Sequence, residues 1–195
     1  ASTTEAQDRA GIQTAEQVIL ALTGGTVTNA VNVPTVRAED MAVLGPFLPL
    51  ARQLGRLGVA LLQGSSIDRV EVEHLGRIAE RDTRPLTTAA LMGVLAGHTE
   101  EEANSVNAPY LAEERGIEVV ESRSSRQRDY TSLLSVKVVA TGGERRVEGA
   151  VFERTVARLV LLDGVAVEAP LEGTMIVTCN TDTPGVIGQV GTILG

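Results

Sequence analysis

The sequence has 195 residues, of which 43% are hydrophobic and 22% are charged, which is typical of a folded domain rather than of a disordered chain. Its net charge of -8 argues against sequence-general binding of nucleic acid or of an anionic membrane. No apolar run approaches the roughly 20 residues of a membrane span, and the first residues lack the order of a signal peptide, so we expect a cytoplasmic setting. A single cysteine excludes an internal disulfide framework and a multi-cysteine metal site.

The chain begins with a predicted long helix over Thr4–Leu22, because apolar residues recur there at helical spacing and Gly24 and Gly25 follow. The next segment contains β-branched residues and Pro34, which favour an extended connector. The helix starts abruptly, and we therefore expect an upstream neighbour in a larger protein.

The middle of the chain mixes helices and strands. A helix with one apolar face is predicted between Pro46 and Gly64. The strand IDRVEVEHL follows, in which one packed face alternates with one solvated face. Leu86–Ala96 and Asn107–Arg115 are then predicted to be helical, since Pro109 lies near the start of the second segment and Gly116 at its end.

Three or four strands are predicted to follow, at Ile117–Ser122, Ser132–Ala140, Arg145–Phe152 and Arg158–Val167. The connections TGGE and LDGV contain the glycines that hairpin turns require. Helices first and antiparallel strands later predict an α+β fold, in which helices cover one face of an antiparallel sheet.

The last segment reads as a strand, Thr174–Cys179, followed by a helix that Pro184 opens and that Asp182 or Thr183 caps. Apolar residues recur at helical spacing from Val186 onward. One strand and one helix cannot bury such a face alone, so we expect further strands or another subunit to cover it. The sequence thus divides into sections 1–28, 29–170 and 171–195.

Two further features leave alternatives open. His74 lies on the apolar face of its strand and is either a hydrogen-bonded structural histidine or a ligand. Gly185, Gly188 and Gly191 share one side of the last helix; they favour either close approach of a neighbour or phosphate binding, although their spacing is not that of a dinucleotide loop.

Charge distribution gives the main indication of binding. Residues 117–160 hold eight basic groups against six acidic ones within an acidic chain. Guanidinium groups and hydroxyls of the kind found in SRSSRQR bind phosphate or carboxylate, although the same segment is also typical of a solvated loop. The candidate anion ligands are Arg123, Arg126, Arg128 and Lys137. A second candidate is the start of the last helix, where Asn180 and Asp182 either bind an ammonium group or cap the helix.

Three separated motifs carry a family resemblance. ASTTEAQ at Ala1–Gln7, VNAPYLAEERGI at Val106–Ile117 and ESRSSRQRDYTSLLSVKV at Glu121–Val138 resemble the long form of D-3-phosphoglycerate dehydrogenase, and so does the ending DTPGVIGQVGTIL. The resemblance implies that 1–28 is the terminal helix of the catalytic region and 29–170 the intervening, allosteric substrate-binding domain. It also implies that 171–195 is the first strand and helix of an ACT domain, a partial ferredoxin-like βαβ unit.

The family resemblance also implies an activity and its ligands. Such enzymes oxidise 3-phosphoglycerate to 3-phosphohydroxypyruvate with NAD, in the first step of serine biosynthesis, and form homotetramers. By position, Ala1 would border the nicotinamide pocket, Arg123 would contact the anion of the intervening domain, and Asn180 and Asp182 would hold the effector serine. Where some members have His-Arg in the anion loop, this sequence has Tyr130 and Thr131, so that Arg126 or Arg128 would have to substitute.

We therefore expect a regulatory and oligomer-forming portion of such an enzyme. The portion itself would be catalytically inert and bind no cofactor, because the sequence has neither a nucleotide loop nor the family's catalytic histidine. Two other classes stay open: a free-standing sensor of small anions or amino acids, and a purely structural dimerisation module.

Overall fold

The computed structural model describes residues 4–22, 37–99, 101–127, 129–179 and 183–195. Its helices are α1 (Thr4–Leu22), α2 (Ala38–Leu44), α3 (Phe47–Ala60), α4 (Arg84–Leu95), α5 (Ala108–Glu114) and α6 (Val186–Leu194), and a short 3₁₀ helix spans Arg77–Glu80. Its strands are β1 (Ile67–Gly76), β2 (Glu118–Ser124), β3 (Ser132–Ala140), β4 (Gly143–Phe152), β5 (Val156–Leu162) and β6 (Val165–Pro170).

The six strands form one sheet in the order β2-β1-β3-β4-β5-β6. Neighbouring strands are antiparallel except β1 and β2, which are parallel. The chain leaves the end of β1 and returns through α4 and α5 to start β2 at the other end, which is the connection that parallel strands need. The predicted α+β class with a helix-covered sheet is confirmed, whereas the sheet is mixed rather than wholly antiparallel.

The helices α3, α4 and α5 cover one face of this sheet. α3 contacts β3, β4 and β5, α4 packs on α3 and β1, and α5 packs on α4 and β2. Alternating residues of β1 and β3 point into this layer, and their side chains are fully buried: Val70, Val72, His74, Leu134, Val136 and Val138. The predicted alternation of IDRVEVEHL is thereby confirmed.

Glycines bring the helices α3 and α4 into direct backbone contact. A Cβ atom added at Gly55 would lie 2.1 Å from the carbonyl oxygen of Ala90, and one added at Gly93 would lie 1.9 Å from that of Arg52. No side chain fits at either position, so the two glycines set how closely α3 and α4 pack.

Several boundaries differ from the sequence prediction. The segment Arg158–Val167 is two strands, because Asp163 and Gly164 both have positive φ, as a tight hairpin turn requires. The helix α2 was not predicted; its short length hides the apolar period, although Glu39 and Asp40 favour a helix start.

The last segment also differs from its prediction. The structure assigns no strand to residues 174–179, and a strand needs a neighbour to satisfy its backbone groups. The predicted final helix is present as α6, but it begins at Val186 with Gly185 at φ 94° before it, so Pro184 lies in the preceding turn. The side chains of Ile187 and Ile193 are more than 80% exposed, so the expected cover of this face stays a prediction.

Candidate functional site

A cluster of polar side chains lies where the start of α4 meets β2. It consists of Asp82, Thr83, Arg84, Thr87, Glu121 and Arg123, and we call it the α4–β2 cluster. The parallel pairing of β1 and β2 places these residues together, although Thr87 and Glu121 are 34 positions apart in the chain.

Glu121 is the centre of the cluster. Its two carboxylate oxygens accept hydrogen bonds from the hydroxyls of Thr83, at 2.7 Å, and Thr87, at 2.6 Å. Glu121 therefore ties the edge strand β2 to the helix layer.

The two arginines of the cluster differ in their availability to a ligand. Arg84 makes a bidentate pair with Asp82, and this hydrogen bonding lowers the pKa of the Asp82 carboxyl. The side chain of Arg123 is 56% exposed, and its Nε lies 3.9 Å from Glu121, beyond hydrogen-bonding distance. Arg123 thus has donors left for an anion, whereas those of Arg84 are directed mainly at Asp82.

His74 lies buried beneath the cluster, in register with Arg123 on the next strand. Its Nδ1 is 3.3 Å from the backbone carbonyl of Ser122, and since a carbonyl only accepts, Nδ1 carries the proton. Nε2 is buried and has no hydrogen-bond partner among the described residues. Burial lowers the pKa of His74, against the opposing effects of Glu121 and of the Ser122 hydrogen bond. The structural alternative for His74 therefore fits the geometry better than a ligand role.

The buried neutral His74 predicts a pH dependence of stability. Because its pKa is lowered in the folded state, the unfolded chain takes up the proton first, and the contribution of His74 is lost as the pH falls through and below about 6.5, the ordinary pKa of histidine. We expect urea midpoints to fall less steeply over this range in His74→Leu, which does not titrate, than in the natural chain. Equal slopes for the two proteins would contradict a buried neutral histidine.

A groove of about 660 Å³ borders the cluster between α4, α5 and β2. Its walls are apolar at Leu91, Val106, Pro109, Ile117 and Val119. Its charged rim has one guanidinium and three carboxylates, from Arg84, Glu113, Glu118 and Glu121. This charge balance disfavours a phosphate inside the groove and leaves Arg123, outside it, as the better anion contact.

The other predicted anion ligands lie at different places. Arg126 is exposed just after β2, where its backbone N–H donates to the Ser124 hydroxyl. Lys137 lies in β3, where alternation places it on the sheet face away from the helices, and its Nζ pairs with Glu144 at 2.8 Å. The structure thus brings Arg123 and Arg126 to one end of β2 but not Lys137.

The remaining predicted site residues, Ala1, Arg128, Asn180 and Asp182, lie outside the described residues. Tyr130 packs edge-to-face on Phe152, with ring centroids 5.9 Å apart, and so belongs to a small apolar cluster on the sheet face opposite the helices. Within the described ranges, no group of three or more potential ligands has an arrangement that could hold a metal ion. Nor does any described helix combine the length and apolar character that crossing a membrane requires.

Sequence reasoning missed four members of the α4–β2 cluster, namely Asp82, Thr83, Arg84 and Thr87. The only local signal was a threonine and a proline at a helix start. In the sequence, their partner Glu121 is one of six acidic residues between positions 117 and 160. Nothing in the sequence shows that β2 lies beside the start of α4.

Fold and site together define an α+β domain with a polar cluster at one edge of its sheet, and comparison with known proteins places it in a family. Residues 43–163 match the family model described as the D-3-phosphoglycerate dehydrogenase intervening domain. The chain belongs to the D-3-phosphoglycerate dehydrogenase family, and the family resemblance of its motifs is confirmed.

Curated relatives of the same name match over the whole chain. The D-3-phosphoglycerate dehydrogenases of Synechocystis sp., Archaeoglobus fulgidus and Bacillus subtilis are 38%, 36% and 32% identical to it. Each match covers 100% of this chain but only 35% to 37% of the relative. The chain therefore spans little more than a third of the length of these relatives.

Proposed function

We propose that this chain is the regulatory and oligomer-forming portion of an NAD-dependent D-3-phosphoglycerate dehydrogenase. The whole enzyme oxidises 3-phosphoglycerate to 3-phosphohydroxypyruvate in the first step of serine biosynthesis. The observation that carries the proposal is the match of residues 43–163 to the intervening domain, together with relatives almost three times as long. The remaining length of such a relative supplies the room for a catalytic unit.

NAD binding is assigned to the part of the relatives that this chain does not span. Dinucleotide folds use a mainly parallel sheet with helices on both faces and a glycine-rich loop after the first strand. The sheet here is mainly antiparallel, α3, α4 and α5 lie on one face, and the sequence has no G-x-G-x-x-G motif. The described residues thus do not fit NAD.

We expect the 195-residue chain to be catalytically inert. Purified residues 1–195 and the complete gene product would each be incubated with NAD and 3-phosphoglycerate, and NADH formation would be followed by absorbance. NADH should form only with the complete product. Turnover by residues 1–195 would show that the catalytic groups lie within this chain.

The regulatory part of the proposal assigns small-anion binding to the end of β2. Arg123 is half-exposed with unused donors, and Arg126 follows it two residues after the strand ends. Guanidinium groups with free donors are suited to a phosphate ester or a carboxylate. Serine binding at Asn180 and Asp182 is the second regulatory assignment and is based on the family resemblance.

Removing both arginines is expected to weaken anion binding. The variant Arg123→Ala/Arg126→Ala should bind 3-phosphoglycerate at least about tenfold less tightly in calorimetric titration, because each charge-assisted hydrogen bond contributes about 1.5–3 kcal/mol. The matched control is Arg56→Ala/Arg115→Ala, which removes the same charge from exposed positions outside the site. Equal affinities of the two double variants would place the anion elsewhere, and a titration with serine tests the second assignment separately.

A free-standing sensor of anions or amino acids is the second candidate function, favoured by the exposure of Arg123. It predicts saturable binding by the 195-residue chain without any dehydrogenase activity in the complete gene product. The activity measurement therefore separates the two candidates.

A further inference from the structure

The strand β2 is an open edge of the sheet. Among the described residues it pairs with β1 on one side, and its side chains are mostly exposed, including Val119 and Val120. An edge strand presents unpaired N–H and C=O groups that form a template for another strand. The opposite edge, β6, is shorter and ends at Pro170, which has no N–H to donate.

Charges along β2 and the residues after it are arranged with opposite signs around Ser122. Glu118 and Glu121 precede this serine, and Arg123 and Arg126 follow it. The distances along the chain are matched, since Glu121 and Arg123 are each one residue from Ser122, and Glu118 and Arg126 are each four residues from it. The segment is therefore complementary in charge to its own reversed copy.

Symmetry limits the ways in which two such edges can pair. Two copies that continue one sheet with antiparallel edge strands are related by a twofold axis perpendicular to the sheet, and residues directly opposite each other share a face. The axis must therefore pass beside a residue that faces itself. At Glu121 or Arg123 the axis would set like charges against each other, which is unfavourable.

Centring the axis at Ser122 sets opposite charges against each other in two pairs. Glu121 then lies opposite Arg123 of the second copy, and Val120 lies opposite its Ser124. Continuing the register beyond the strand brings Arg126 to the level of Glu118 of the second copy. By symmetry each charge pair occurs twice. The Glu121–Arg123 pairs lie on the helix face of the sheet, and the Glu118–Arg126 pairs lie on the other face.

The groove beside β2 supports the same arrangement. Val119 and Glu121 form part of its wall at the sheet edge. In the register centred on Ser122, Ser125 and Arg123 of the second copy would lie opposite these two residues. The second copy would thus extend the wall and bring a guanidinium next to the acidic rim.

We propose that β2 pairs antiparallel with β2 of a second copy of this chain, in the register centred on Ser122, and joins two six-stranded sheets into one. This inference rests on the oligomer-forming role proposed above and specifies the surface that forms the contact. The two charge pairs select the register, and the exposed backbone of β2 provides the hydrogen bonds.

Disulfide trapping tests the register. In the complete gene product with exposed Cys179 replaced by serine, Ser122→Cys should cross-link two copies under mild oxidation, because directly opposite Cβ atoms lie about 5 Å apart. Val120→Cys is the matched control on the same face, and its two copies would be roughly 13 Å apart along the strands. A cross-link at position 120 but not at position 122, or at neither, would overturn the proposal.

Charge exchange tests the pairing independently. In the Ser122→Cys background, Glu118→Arg or Arg126→Glu alone should slow cross-linking about tenfold. Each single substitution places like charges opposite each other at both symmetry-related contacts between positions 118 and 126. The combined variant exchanges the two charges and should return to within about twofold of the starting rate. A combined variant as slow as either single variant would overturn the pairing.

Assembly of the complete product, measured by sedimentation, separates this inference from the proposed function. An assembled protein that does not cross-link at position 122 keeps the oligomer-forming role but uses another surface. A monomeric protein contradicts both.

Discussion

Gly93→Ala is expected to lower the free energy of unfolding by about 3 kcal/mol, the upper part of the range for overpacked interiors. The added methyl group would lie 1.9 Å from the carbonyl oxygen of Arg52 and 2.9 Å from the backbone N of Arg56. Neither backbone atom can move aside as a flexible side chain would, so α3 and α4 would have to separate. Separation exposes apolar surface at the centre of the helix layer, where Leu54 and Val94 are fully buried. Urea unfolding followed by circular dichroism measures the change.

The matched control is Gly11→Ala in α1, where an added Cβ meets nothing within 4 Å. Alanine is the better helix former by up to about 1 kcal/mol, so this variant should be unchanged or slightly more stable. If Gly93→Ala unfolded at the same urea concentration as this control, the close contact between α3 and α4 would be wrong.

Leu134→Ala is expected to lower the free energy of unfolding by about 2–5 kcal/mol, the range for truncating a buried leucine. Leu134 is 0% exposed and lies in β3, between β1 and β4, facing the helix layer. The strands on both sides limit how far the site can collapse, so a cavity should persist. Urea midpoints and the slope of the transition measure the effect.

Val165→Ala serves as the control for the truncation of Leu134. Val165 is 64% exposed at the start of the edge strand β6, so removing its methyl groups should change the free energy of unfolding by no more than about 0.5 kcal/mol. A similar loss in both variants would mean that Leu134 is not part of the core.

Local pattern predicted much of the fold. The bounds of α1 and β3 agree with the structure, and the alternation of Val70, Val72 and His74 identified the buried face of β1. These predictions succeed because a helix period or a strand alternation is a property of neighbouring residues. The strand predicted at Thr174–Cys179 is not present in the structure. A strand needs hydrogen bonds to a neighbouring strand, and the residue pattern within one segment does not show whether that neighbour is there.

The candidate site was predicted less completely. The sequence identified Arg123 and Arg126 through local charge, and the structure places both at one end of β2. The sequence also suggested Lys137 as an anion ligand, because Lys137 lies near these two arginines along the chain. In the sheet, Lys137 faces away from the helices and pairs with Glu144.

The sequence by itself determined the fold class, most helices and strands, and the family, since periodicity, turn residues and motifs are written along the chain. Only the tertiary structure decided that β2 runs parallel to β1 at the edge of the sheet that the described strands form, and that Glu121 binds Thr83 and Thr87 more than 30 positions away. The physical reason is that strand order and helix contact depend on how the whole apolar surface is buried, a condition that no short segment expresses.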